Sequence, residues 1–278
     1  MNLRPSHSRP RVMGIVNVTP DSFSDGGRLA SVEAAVAHGL RMVEQGADIL
    51  DVGGESTRPG AEPVDAAGEI ARVVPVIEGL RARWPGAISI DTMKPEVARA
   101  AVAAGATLWN DVAALGWSPD APAVAAELGC EVVLMHMKGE PRTMQADPRY
   151  DDVVVEVADW LVARAGAAMA AGVARERIRL DPGIGFGKTV AHNLALTACL
   201  DRLVATGFPV LYGASRKRTI QSIDPTATDP MDRLGGSLAL ALEAARRGAA
   251  IVRVHDVRET VQALELQTAV RAAEVRGG

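Results

Sequence analysis

Cysteine is nearly absent from this 278-residue chain: the two present, Cys130 and Cys199, lie far apart with no metal-type partner spacing. That excludes a disulfide framework or zinc cluster, and in a reducing compartment leaves both as buried apolar side chains. An excess of positive charge is also lacking. With 30 Lys and Arg against 34 Asp and Glu, the net charge is −4, so nucleic acid and anionic membrane surfaces would find no basic stripe. Any anionic ligand must meet a local cluster of cations. Apolar runs are short and interrupted by charges, and Met1 to Arg11 contains no apolar segment. The sequence therefore offers neither a bilayer span nor a secretion signal, and the expected location is cytoplasmic. No Ser/Gly-rich linker or acidic tail divides or extends the chain, which argues against disorder and for one domain.

What the sequence does have is alternation. Short β-branched runs are followed by long amphipathic segments throughout, the pattern of repeated βα units around a parallel sheet. Strands are predicted at 12–16, 48–52, 87–91, 107–109, 131–135, 178–181, 209–212 and 250–254. Val32, Val36, Leu40 and Val43 share one helical face, as do Ile70, Val73, Val74, Ile77 and Leu80. Gly46 suits a left-handed helix end, Pro95 a first helical turn, and Asp256 with Glu259 the start of a last helix. About eight strands and eight helices in this length favour a closed (β/α)8 TIM barrel, a parallel eight-stranded barrel with outer helices, over an open doubly wound sheet. The expected barrel domain covers 12–278, with 1–11 as a flexible N-terminal arm.

In such a barrel chemistry occurs at the carboxyl ends of the strands. Nearly every predicted strand ends in a polar residue: Asn17, Asp51, Asp91, Asn110 with Asp111, His136, Asp181, Ser215 with Lys217, and Arg253 with His255. Singly, each is as well read as a hydrogen-bonded structural residue. Together at one rim they read as a site. Asp181 to Thr189 ends in GKT, but a P-loop needs its first glycine at Pro182, and a dinucleotide fingerprint needs its third at Lys188. A strand-to-helix loop that approaches a flat ligand fits better, with Phe186 above it. Gly53 to Gly60 adds a hydroxyl, Arg58 and backbone amides that with Arg253 and His255 can hold an anion; the alternative is a glycine-rich surface turn with a solvated arginine.

At this point the chain resembles the dihydropteroate synthases. Gly14-Ile15-Val16-Asn17-Val18-Thr19-Pro20-Asp21-Ser22-Phe23-Ser24-Asp25-Gly26-Gly27 is similar to the family's first signature, and Gly53 to Gly60 to its second. Ser89-Ile90-Asp91-Thr92, Asn110-Asp111-Val112, Leu134-Met135-His136-Met137, the Asp181 to Lys188 loop, Ser215-Arg216-Lys217 and Val252-Arg253-Val254-His255-Asp256 follow in the family's order, covering about Val12 to Val270. The resemblance implies a pterin pocket of Ile15, Asp91, Asn110, Met135, Asp181, Phe186, Lys217 and Arg253. It also implies a pyrophosphate site of Asn17, Thr57, Arg58, Arg253 and His255, with Asn17 touching Mg2+, and an aminobenzoate site of Phe23, Thr57, Pro59, Phe186, Ser215 and Lys217. The implied catalytic residues are Asn17, Lys217, Arg253 and His255. They serve condensation of 6-hydroxymethyl-7,8-dihydropterin pyrophosphate with 4-aminobenzoate, and a homodimer is implied as well. One departure is Gln221, where the family usually carries glycine.

Two other readings have their own discriminators. A barrel methyltransferase acting on methyltetrahydrofolate would need neither the Asp21 to Gly27 loop nor Ser215-Arg216-Lys217. A non-catalytic pterin-binding homologue should have lost an anion-site or aminobenzoate-site residue, and none is missing.

Overall fold

The structure, a computed structural model, describes residues 9–18, 27–55, 63–139 and 143–276. Its elements run β1 (Arg11–Asn17), α1 (Gly27–Glu44), β2 (Ile49–Gly53), α2 (Ala66–Arg81), β3 (Ala87–Asp91), α3 (Pro95–Ala103), β4 (Leu108–Asp111), α4 (Ala121–Leu128), β5 (Glu131–Met135), α5 (Val153–Ala170), β6 (Ile178–Asp181), α6 (Val190–Ala198), α7 (Leu200–Val204), β7 (Leu211–Tyr212), α8 (Arg218–Ile223), α9 (Leu234–Arg246), β8 (Ile251–Val254) and α10 (Val257–Arg276). All strand pairs are parallel, in the order β6-β5-β4-β3-β2-β1-β8-β7. A bridge from Leu180 to Val210 joins the two outer strands and closes the ring. This is the (β/α)8 barrel expected. No helix among the described residues is long and apolar enough to cross a membrane.

Strand side chains alternate between faces, so odd and even positions part company. Val12, Val16, Leu50, Val52, Ile88, Ile90, Trp109, Val132, Leu134, Ile178, Leu180, Val210, Tyr212, Val252 and Val254 belong to the core beneath the helices. Met13, Ile49, Leu108, Val133, Leu211 and Ile251 form a separate cluster that plugs the barrel interior. Two residues further along the same strands stand Asp51, Asn110, Met135 and Arg253, and Asp181 on β6 lies in register with Met135. The period of two therefore places a polar layer on an apolar plug.

Several boundaries differ from expectation for local reasons. β4 continues to Asp111, which brings Asn110 into the ladder. β7 shrinks to two residues because Pro209 has no N–H to donate; its carbonyl still accepts from Leu180 at 3.0 Å. Among the described residues ten α-helices stand where about eight are expected, since α6 and α7 follow β6 and α8 and α9 follow β7. β1 starts at Arg11, just before the expected boundary, and Arg9 reaches Asp48 at 2.5 Å. Gly46 has φ +97° after α1, and Pro95 opens α3, as expected. Asp256 directly precedes α10, but both its carboxylate oxygens face the Arg216 guanidinium. Cys130 is buried, which pushes its thiol up to about 11, whereas Cys199, expected to be buried, is only half-buried at the break between α6 and α7.

Candidate active site

The inward layer is tied together by one arginine. Arg253 Nε donates to Asp51 Oδ2 at 2.6 Å and Nη2 donates to Asp91 Oδ2 at 2.7 Å, while Asn110 Nδ2 donates to Asp51 Oδ2 at 3.1 Å. Asp51 Oδ1, Asp91 Oδ1 and Ser89 Oγ are buried without a partner among the described residues. Such acceptors are costly unless a donor reaches them. Burial pushes the Asp91 carboxyl up to about 7 against the opposing pull of Arg253, and the neighbouring Asp51 raises it further. On Arg253, burial works against the charge, but Asp51 and Asp91 outweigh it and hold the guanidinium above its usual range.

Across the mouth, Asp181 Oδ1 accepts the Gly183 N–H at 2.7 Å. Burial raises its carboxyl, opposed chiefly by Lys217. Burial in turn pushes the Lys217 ammonium down to about 8 against the attraction of Asp181. Lys217 Nζ donates to the Ile184 carbonyl and stands 4.6 Å from the centre of the Phe186 ring. Met93, Val112 and Met135 form a small apolar cluster with Ala113, Met137 and Phe186 packed on it. A flat ligand with polar edges thus has an apolar wall beside carboxylates and a cation. Ile15, also buried, pairs in register with Asp51 on β2.

The loop carrying Phe186 follows its glycines. Gly183 and Gly187 have φ +67° and +64°, and a Cβ on them would stand 1.9 Å from the His136 carbonyl oxygen and 2.3 Å from that of Lys138. Only glycine lets the loop pass so close to the exit of β5. Lys188 secures it from below. Its Nζ donates to the Phe186 carbonyl at 3.0 Å, the His136 carbonyl at 3.2 Å and His136 Nδ1 at 2.9 Å. Burial and the Lys188 charge push the His136 imidazole down to about 3, so the ring is neutral and Nδ1 is the acceptor.

Not every strand-end residue faces the mouth. Asp111 accepts the N–H groups of Ala113 and Leu115, each at 2.7 Å, fixing a turn in which Ala114 and Leu115 have positive φ. His136 supports the glycine loop instead of lining the opening. Ser215 Oγ meets His255 Nδ1 at 3.0 Å and accepts the His255 N–H at 3.2 Å. Asn17 is exposed at the end of β1, opposite Gly53. The structure thus gathers Ile15, Asp91, Asn110, Met135, Asp181, Phe186, Lys217 and Arg253 in one mouth, with Asn17, Ser215 and His255 at strand ends around it. Phe23, Thr57, Arg58 and Pro59 lie outside the described residues. Adjoining the latter three, Glu55 accepts the Val64 N–H at 2.9 Å and Lys94 Nζ at 2.5 Å, and Lys94 also reaches buried Glu69 at 2.7 Å.

Sequence reasoning missed the partners of Arg253. No spacing signals a contact between Asp51 and Arg253, which are 202 residues apart in the chain. It also gave Lys188 no role, although a lysine inside a glycine loop beside a barrel strand is a signal worth weighing. Among the described residues no group of three His, Cys, Asp or Glu can hold a metal. The Asn17 amide oxygen is a hard ligand of the type Mg2+ accepts when phosphates and water supply the rest.

The chain matches the family described as pterin binding enzyme over residues 13–255. It is 48% identical over 267 residues to the dihydropteroate synthase of Escherichia coli strain K12, covering 96% of this chain and 94% of that one. Among solved structures it resembles the Xanthomonas albilineans dihydropteroate synthase with 4-aminobenzoic acid, with TM-score 0.89, 56% identity, and 95% and 94% of the two chains covered. The same enzyme in complex with 7,8-dihydropteroate matches with TM-score 0.86 and 52% identity over 96% of each chain.

Proposed function

From the premise that the chain belongs to the pterin-binding enzymes, and within them to the dihydropteroate synthases, we propose that its barrel mouth joins 6-hydroxymethyl-7,8-dihydropterin pyrophosphate to 4-aminobenzoate in folate biosynthesis. The arylamine nitrogen bonds to the methylene carbon as the carbon–oxygen bond to pyrophosphate breaks, and the amine gives up a proton. The products are 7,8-dihydropteroate and pyrophosphate. The observation that carries this reading is the polar layer of Asp51, Asp91, Asn110, Asp181 and Arg253 beside the wall of Met93, Val112, Met135 and Phe186.

A pterin edge presents neighbouring amino and ring N–H donors, and one carboxylate such as Asp181 can accept both. Asp91 Oδ1 and Asn110 serve the same ring, with Ile15, Met135 and Phe186 against its faces and Lys217 at its edge. Arg253 keeps Asp91 oriented. Two of its five N–H groups are engaged within the described residues, and the rest remain to serve the pyrophosphate together with Asn17, Thr57, Arg58 and His255. Ser215 holds His255 by Nδ1. Phe23, Thr57, Pro59, Phe186, Ser215 and Lys217 receive aminobenzoate. Mg2+, when bound with the substrate at Asn17, offsets charge on the leaving phosphates. No nucleophilic Ser or Cys is required, and catalysis is positioning plus stabilisation of the leaving group.

We place the enzyme in the cytoplasm and as a homodimer, which sedimentation of the purified chain would test. The activity itself is checked by incubating the purified chain with both substrates and separating the products. Dihydropteroate should form with Mg2+ and stop when the ion is chelated. Pterin binding without product would contradict the reading and favour a non-catalytic pterin-binding homologue.

A further inference from the structure

Between β7 and α8 the chain carries a strained residue flanked by two site residues. Arg216 has φ +58°, a left-handed backbone that side chains other than glycine rarely adopt. Such strain persists only where the surroundings over-determine it. Here every group of the residue is held. Its N–H donates to Ser237 Oγ at 2.9 Å, its carbonyl accepts from Arg233 Nη1 at 3.0 Å, and its guanidinium forks onto Asp256, with Nε to Oδ2 at 3.0 Å.

Arg233 is the hub of this arrangement. It is buried, yet donates to the carbonyls of Ala227 at 3.0 Å, Thr228 at 2.7 Å and Arg216, and to Gln221 Oε1 at 2.9 Å. Ser237, which takes the Arg216 N–H, donates its hydroxyl to the Arg233 carbonyl at 2.7 Å. Among these acceptors Gln221 supplies the side-chain oxygen, and it stands where the resembled family usually carries glycine. A glycine there would leave Arg233 only the three carbonyls.

We propose that Arg216 is a positioning residue of the two-substrate site, and that Gln221, Arg233, Ser237 and Asp256 form the latch that keeps it in its left-handed conformation. The consequence falls on its neighbours. Released from that conformation, the segment turns Ser215 away from His255 and Lys217 away from Ile184 and Phe186, contacts it now makes on either side of Arg216. The inference rests on the reading that Ser215 and Lys217 meet aminobenzoate.

Gln221→Ala removes the side-chain acceptor from a half-buried helix position, and Gln221→Glu keeps it. Steady-state kinetics with each substrate varied, together with thermal melts, separate aim from stability. The alanine variant should raise KM for aminobenzoate about 5- to 30-fold, more than KM for the pterin substrate, with little change in Tm, as expected when positioning is loosened. The glutamate variant should restore the wild-type value. Ser237→Ala, which loses a hydroxyl with little change of shape, should raise the same KM. Unchanged KM values in both alanine variants overturn the latch, and so does a lowered Tm with unchanged KM, which is a purely structural role. A wild-type chain that makes no product overturns the two-substrate reading and the latch with it, whereas normal variants of an active enzyme overturn the latch alone.

Discussion

Asp181 shares its carboxylate between the protein and whatever enters the mouth. Oδ1 takes the Gly183 N–H, and in the proposed complex the pterin edge adds donors of its own. An amide at this position keeps one acceptor where the carboxylate has two, and a hydrogen bond to a charged group contributes about 1.5–3 kcal/mol. Asp181→Asn should therefore weaken dihydropterin binding roughly 10- to 100-fold and aminobenzoate binding much less. Calorimetric titration of each ligand into the variant checks this, and an unchanged pterin affinity would remove Asp181 from the pocket. At this scale the sequence identified the residues better than their partners. Asp181 and Asn110 were legible because strand-end position and inward parity coincide. Arg253 was expected chiefly at an anion site, yet its guanidinium also bridges Asp51 and Asp91, a contact made by barrel closure and visible in no local pattern. Asp111 and His136 end strands too, but one more residue along a strand turns a side chain to the other face, and both serve backbone turns instead.

The strands were the most readable elements, because β-branched runs of period two survive in any context, whereas β7 lost half its expected length to Pro209. The extra helices after β6 and β7 were not readable: at Cys199 the backbone departs from helical geometry while the apolar pattern continues through it. The glycine loop between β6 and α6 reads from sequence as a turn suited to approach a flat ligand, but what holds it down has no local signal. Lys188 does so from a buried position, where desolvation pushes its ammonium down to about 7 against the attraction of Asp181. In the unfolded chain a lysine titrates near about 10.4, so between about pH 7 and that value unfolding takes up a proton. Raising pH across this window therefore increases stability through this group. Lys188→Met should remove that contribution: the Tm of wild type relative to the variant should rise from pH 7 to pH 9. A constant difference would show that the Lys188 ammonium titrates alike in both states.

At the scale of the whole molecule, the bottom of the barrel is packed with Met13, Ile49, Leu108, Val133, Leu211 and Ile251, and chemistry is confined to the opposite end. The repeat of about eight strands and helices makes this architecture legible from sequence alone, since in a chain of this length it favours a closed barrel over an open doubly wound sheet. Of the residues proposed for the pterin, Ile15, Asp91, Asn110, Met135, Asp181 and Arg253 stand on strands, whereas Phe23, Thr57 and Pro59, proposed for aminobenzoate, lie outside the described residues in Gly-, Ser- and Asp-rich stretches of the sequence. Stretches of that composition offer few apolar side chains to bury. We propose that this mouth takes its two substrates in order, with the pterin pyrophosphate completing the place for the arylamine. Coupling between linked sites is typically about 1–3 kcal/mol, or about 5- to 150-fold in affinity. Titration of labelled 4-aminobenzoate into the purified chain, with and without pyrophosphate and Mg2+, measures that coupling directly. Affinity should be tighter by a factor in this range when both are present, and equal affinity in the two titrations would rule out ordered entry.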